Sequence, residues 1–127
     1  MEVRELIGRP PVRCSADANL RQAAIIMDTG DVGSVVVGRS ETLEGILTER
    51  DLLRAAAHGA DLESETVEAW MTPAPDTVEA DLEVSEAAMW MAATGYRHLP
   101  ITDGDKLIGV ASVKDVLWAL TEQLAED

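Results

Sequence analysis

The sequence predicts a mixed α/β (α+β) fold made of two copies of one unit of about 60 residues. Three observations point there. The chain superimposes on itself when slid by 64 residues. Each half alternates apolar residues at helical spacing with short β-branched runs. Its 127 residues, 46% hydrophobic and 27% charged, have ordinary globular composition and can bury a core.

At a shift of 64, Pro11, Ala16 and Asp17 fall on Pro75, Ala80 and Asp81. Ala23, Ala24 and Met27 fall on Ala87, Ala88 and Met91, and Leu43, Gly45, Asp51 and Leu53 on Leu107, Gly109, Asp115 and Leu117. In the middle, matching Gly30 with Gly95 raises the shift to 65 and sets Val35 against Pro100, so a one-residue gap is expected there. The expected repeats are residues 1–64 and 65–127.

The elements follow in order. Asp17 is a candidate N-cap for a helix whose apolar face is Leu20, Ala23, Ala24 and Met27, and Gly30 is the expected stop. Ser34–Val37 reads as a buried strand, Gly38 to Thr42 as a turn and Leu43–Leu47 as a second strand. A helix from Glu49 to Ala57 closes near Gly59, and a short one from Thr66 to Met71 crosses the acidic link. The second copy repeats the plan: a helix over Val84–Thr94, strands Leu99–Thr102 and Lys106–Ala111, and a helix from Val113 to Leu124. Thr102-Asp103-Gly104-Asp105 is a strong hairpin signal.

Charge and composition exclude some functions. With 24 acidic against ten basic residues, the net charge of −14 disfavours nucleic acid and anionic membrane surfaces. No apolar run approaches the roughly 18–20 residues that span a bilayer. The acidic start Met1-Glu2-Val3-Arg4-Glu5 is unlike a secretory signal. A single cysteine, Cys14, precludes an internal disulfide and makes a reducing cytoplasm the expected location.

Two segments carry the functional signal: Gly45-Ile46-Leu47-Thr48-Glu49-Arg50-Asp51 and Gly109-Val110-Ala111-Ser112-Val113-Lys114-Asp115. Each passes from strand into helix with a hydroxyl residue three places before an Asp. The simplest reading is a capping box, the hydroxyl and carboxylate satisfying each other's N–H groups. Yet Arg50 and Lys114 put a cation in the first turn, where it opposes the helix dipole by roughly 0.3–1 kcal/mol. An anion at the helix start would account for both bases, and an ionised Asp can accept the hydroxyls of a ribose.

These segments, with Tyr96-Arg97-His98-Leu99-Pro100-Ile101 and Trp70-Met71-Thr72-Pro73, resemble the tandem CBS domains (cystathionine β-synthase type) that form a Bateman module. The resemblance spans nearly the whole chain. It implies two β-α-β-β-α repeats packed about a pseudo-twofold axis, with clefts that bind AMP, ADP, ATP or S-adenosylmethionine as regulatory ligands rather than required cofactors. Carried over by position, Asp51 and Asp115 would hold ribose hydroxyls, while Thr48 and Ser112, with Arg50 and Lys114, would face phosphate. Val32, Gly33 and Ser34, and Tyr96, Arg97 and His98, would border the adenine and phosphate. The segments holding Arg9 and Thr72 would complete the opposite clefts. Because Arg97, His98 and Lys114 can converge on it, the Asp115 cleft ranks above the Asp51 cleft. The family also implies a homodimer, a disc of four repeats, and a pair standing alone would act on a protein effector in trans.

Other residues read as structural. His58 suits a helix C-cap, His98 lacks partners spaced for a metal, and Cys14 has nothing beside it to lower its pKa. Met71, Met89, Trp90, Met91 and Trp118 read as core or subunit interface, and the apolar surplus of Val116, Leu117, Trp118 and Leu120 as a surface for a second chain. No catalytic residues can be named, since no nucleophile, metal cluster or acid–base pair is evident. The rival to a ligand sensor is an interaction module whose clefts stay empty.

Overall fold

The structure, a computed structural model, describes residues 1–39 and 41–126. Ser40, inside the turn expected from Gly38 to Thr42, and Asp127, at the end of the second repeat, lie outside the described residues.

A 3₁₀ turn, Val3–Leu6, precedes β1 (Arg13–Cys14), α1 (Leu20–Gly30), β2 (Ser34–Val37), β3 (Gly45–Thr48) and α2 (Glu49–Ala57). There follow α3 (Val67–Trp70), β4 (Thr72–Pro73), β5 (Val78–Glu79), α4 (Val84–Thr94), β6 (His98–Asp103), β7 (Lys106–Ser112) and α5 (Val113–Glu126). Each repeat thus carries a β-α-β-β-α series. One sheet has the order β1-β2-β3-β4 and the other β5-β6-β7. In both, a two-residue strand runs parallel to the first strand of an antiparallel hairpin. Gly104 turns the second hairpin at φ 64°, a conformation glycine adopts without strain.

Several local expectations are corrected. Asn19, not Asp17, caps α1: its side chain accepts the Gln22 N–H and its own N–H donates to the Gln22 side chain. Asp17 instead accepts the Ser15 hydroxyl, which holds its carboxyl below the usual range. Gly30 is the last residue of α1, and Asp31 takes the left-handed turn at φ 52°. β3 begins at Gly45 rather than Leu43.

The gap vanishes as well. Ser34 pairs with Thr48 and His98 with Ser112, while Val35 pairs with Leu47 and Leu99 with Ala111. The structural shift is therefore 64 through the strands, and Pro100 answers Val36, not Val35. Asp31 and Gly95 are equivalent helix stops; pairing glycine with glycine had displaced the alignment by one.

The chain packs as two compact units, Pro11–Pro75 and Met1–Pro10 with Asp76–Asp127. These are offset from the sequence halves because each leading segment packs outside its own repeat. The Val3 N–H donates to the Leu82 carbonyl and the Arg4 N–H to Ala80; 64 residues on, Val67 donates to Ala18 and Glu68 to Ala16. Val3 and Val67 are both fully buried. Their units' cores hold Leu20, Ala23, Met27, Val35 and Leu47 in one, and Val84, Ala87, Met91, Leu99 and Ala111 in the other. Each fully buried Val or Leu contributes about 1.5–3 kcal/mol.

Two glycines admit these leading segments. A Cβ on Gly109 would come within 2.6 Å of the Ile7 side chain. On Gly45 it would meet the Met71 sulfur and, at 2.9 Å, the Thr72 carbonyl oxygen. Ile7 and Met71 are again 64 apart.

Candidate functional site

Each unit builds one helix start in which strand, hydroxyl and carboxylate meet. In the unit containing Asp51, the Thr48 N–H donates to Asp51 Oδ2 at 2.9 Å and the Thr48 hydroxyl to the same oxygen at 3.1 Å. The Asp51 N–H returns to Thr48 Oγ1 at 3.4 Å. This is the capping box the spacing requires. Asp51 is buried, at 8% exposure, so its charge needs these donors.

The neighbouring strand end closes on the same point. Ser34 stands opposite Thr48 in the β2–β3 register, and the Glu49 N–H donates to the Gly33 carbonyl at 2.9 Å. Val32 donates to the Met27 carbonyl, leading the chain from α1 into this strand. Arg50 is exposed on the first turn, and Thr72 pairs with Ile46 at the edge of the same sheet.

The second helix start reproduces the frame, with fewer hydrogen bonds to its carboxylate among the described residues. The Ser112 N–H donates to Asp115 Oδ2 at 2.9 Å, and the Asp115 N–H to Ser112 Oγ at 3.2 Å. His98 stands opposite Ser112, and Val113 donates to the Arg97 carbonyl at 2.9 Å. Arg97 and Lys114 are exposed, as is Arg9 in the leading segment of this unit. Backbone pairing therefore draws Arg97, His98, Ser112, Lys114 and Asp115 to one helix start. Tyr96 turns to Asp76, donating its phenol at 3.1 Å, and that bond raises its pKa above the usual tyrosine value. Its ring also meets Trp90 edge-on.

Sequence reasoning left out Arg54 and gave Trp70 only as part of the Trp70-Met71-Thr72-Pro73 segment. Arg54 Nη2 donates to Asp51 Oδ1 at 3.0 Å, and its guanidinium lies 5.7 Å from the centre of the Trp70 ring. The i,i+3 spacing of Asp51 and Arg54 was a visible signal, because such residues are neighbours on a helix. His58 is the C-cap of α2, its ring edge-on to Trp70. Cys14 is buried, and burial pushes its thiol up to about 11, which suits a core residue and not a nucleophile. Among the described residues no group of three His, Cys, Asp or Glu could hold a metal ion. No helix of the described residues is long and apolar enough to cross a membrane.

The chain has counterparts among known proteins. The family model described as the CBS domain matches twice, at residues 3–58 and 67–122. An uncharacterized 17.7 kDa protein of Acidianus ambivalens is 38% identical over 108 residues, which are 84% of this chain and 65% of that one. The chain thus spans slightly under two thirds of that relative's length. Among solved structures, a putative signal-transduction protein with CBS domains from Burkholderia ambifaria superimposes with a TM-score of 0.89 at 27% identity, covering 94% of this chain and 93% of that one. A CBS domain protein from Pyrobaculum aerophilum, solved in complex with AMP, superimposes with a TM-score of 0.86 at 28% identity over 100% of both chains.

Proposed function

The chain belongs to the CBS-domain family, and from that premise we propose that it is a regulatory module that binds adenosine-containing ligands at its duplicated helix starts and catalyses nothing itself. One observation carries the reading. The hydroxyl–carboxylate box of Thr48 and Asp51 recurs at Ser112 and Asp115, each beside an exposed base, in a chain with only ten Lys and Arg. A carboxylate accepts the two hydroxyls of a ribose, and a helix start with a neighbouring base attracts phosphate. The AMP complex of the Pyrobaculum protein supports adenosine as the nucleoside.

In this reading Asp51 and Asp115 hold ribose, and Thr48, Arg50, Ser112 and Lys114 face phosphate. The strand entries Val32–Ser34 and Tyr96–His98 border the base. Arg9 and Thr72 contribute from the leading segments. Ligand binding acts on an effector by favouring one of two arrangements of the module. Cys14 as a lone buried thiol and the acidic surface fit a cytoplasmic protein.

We further read the molecule as a homodimer. Ile25 and Met89 are equivalent and exposed, as are Leu53 and Leu117, so the same apolar helix face is uncovered in both units. Trp118 extends it on α5. Single exposed apolar residues are ordinary, but duplicated positions on paired helices suit a self-complementary interface.

Thermal melting with AMP, ADP, ATP and S-adenosylmethionine tests the ligand reading. A ligand at 100 times its Kd adds about 2.7 kcal/mol, enough to raise the midpoint by several degrees. No shift with any of the four would favour an interaction module with empty sites.

A further inference from the structure

Resting on that reading, we infer that Arg54 is a built-in competitor for the ribose position of the first repeat, so that the two equivalent carboxylates bind in order, Asp115 first. An ionised carboxylate offers about four acceptor positions. At Asp51 three are filled among the described residues: the Thr48 N–H and hydroxyl take Oδ2, and Arg54 takes Oδ1. Among the described residues the Asp115 carboxylate accepts one bond, from the Ser112 N–H to Oδ2, and forms no ion pair. A vicinal diol donates two hydrogen bonds to its carboxylate. Asp115 has room for both; Asp51 does not until Arg54 leaves.

The difference is written in the repeat. The residue three places after Asp115 is Trp118, exposed and uncharged, where the first repeat has Arg54. Arg54 is also held from its other side, by the face of Trp70. Trp70 is equivalent to Leu6, so the second unit lacks both the guanidinium and the ring that supports it. Nucleoside entry at Asp51 must break a charge-assisted hydrogen bond from a guanidinium that Trp70 steadies, an arrangement with no counterpart at Asp115 among the described residues.

Calorimetric titration of the whole chain with AMP tests this, using Arg54→Met to keep an aliphatic stem on Trp70 while removing the charge. The wild type should bind AMP at one tighter site, abolished by Asp115→Asn, and at one weaker site. Arg54→Met should tighten the weaker site by about three- to tenfold, leaving the tighter one unmoved. Adding Asp51→Asn should erase the gain. Unchanged or weakened second-site affinity in Arg54→Met overturns the competitor role while leaving the ligand reading intact. Two equal sites in the wild type do the same. If neither wild type nor Arg54→Met binds AMP, nor ADP, ATP or S-adenosylmethionine titrated in the same way, both the competitor and the ligand reading fall.

Discussion

Asp31 and Gly95, 64 residues apart, end their helices in the same left-handed conformation, at φ 52° and 81°. Glycine adopts that region freely, whereas a residue with a Cβ is strained there even when, like Asp, it tolerates the turn. Replacing Asp31 by glycine should therefore stabilise the fold by about 0.5–1 kcal/mol. Urea unfolding of Asp31→Gly measures this. A loss of stability would mean that the Asp31 carboxylate supports the turn.

The leading segments make a second prediction. Gly45→Ala should cost about 1–3 kcal/mol, because the new methyl meets a backbone oxygen, Thr72 O, as well as Met71. Gly109→Ala should cost less, since the atoms it meets belong to the Ile7 side chain. Adding Ile7→Ala should recover part of the Gly109→Ala loss, and a double-mutant cycle in urea reads that coupling. Strict additivity would contradict the packing.

Cys14 should resist alkylation. Its thiol is raised from 9.0 to about 11 by burial, so at pH 8 the reactive thiolate is scarcer than in the unfolded chain by about 100-fold. Iodoacetamide labelling with and without urea measures the ratio. The sign for stability follows from a folded pKa above the unfolded one: the contribution is complete below pH 9.0 and is lost as pH rises to about 11. Cys14→Ala should flatten stability across that interval.

The apolar helix face predicts oligomeric state. Leu117→Glu with Met89→Glu should leave the fold intact, as both side chains are exposed, and convert a dimer to a monomer in sedimentation analysis. A wild-type monomer would contradict the interface.

Much of this arrangement could be read from the chain. The duplicated Ser/Thr-x-x-Asp boxes, the hairpins and both long helices of the second repeat follow from spacing alone, because capping and amphipathic patterns are local. What the sequence reading missed was partly local and partly set by tertiary contact. Asp31 substitutes for a glycine, which hid the unbroken shift. Asn19 outcompetes Asp17 as cap because its partner Gln22 completes the box. The leading segments pack outside their own repeats through backbone pairing that leaves no mark in composition. Arg54 is a further local signal: its spacing from Asp51 is plain, but Trp70 reaches it only through the fold.

The central claim is that Asp115 holds a ligand and does not merely cap α5. The most direct measurement is an AMP titration of Asp115→Ala alongside its urea unfolding. Loss of a cap costs about 1 kcal/mol of stability. Nucleotide affinity should fall at least tenfold in a protein that is still fully folded at the titration temperature. AMP affinity equal to that of the wild type in the folded variant would contradict the account.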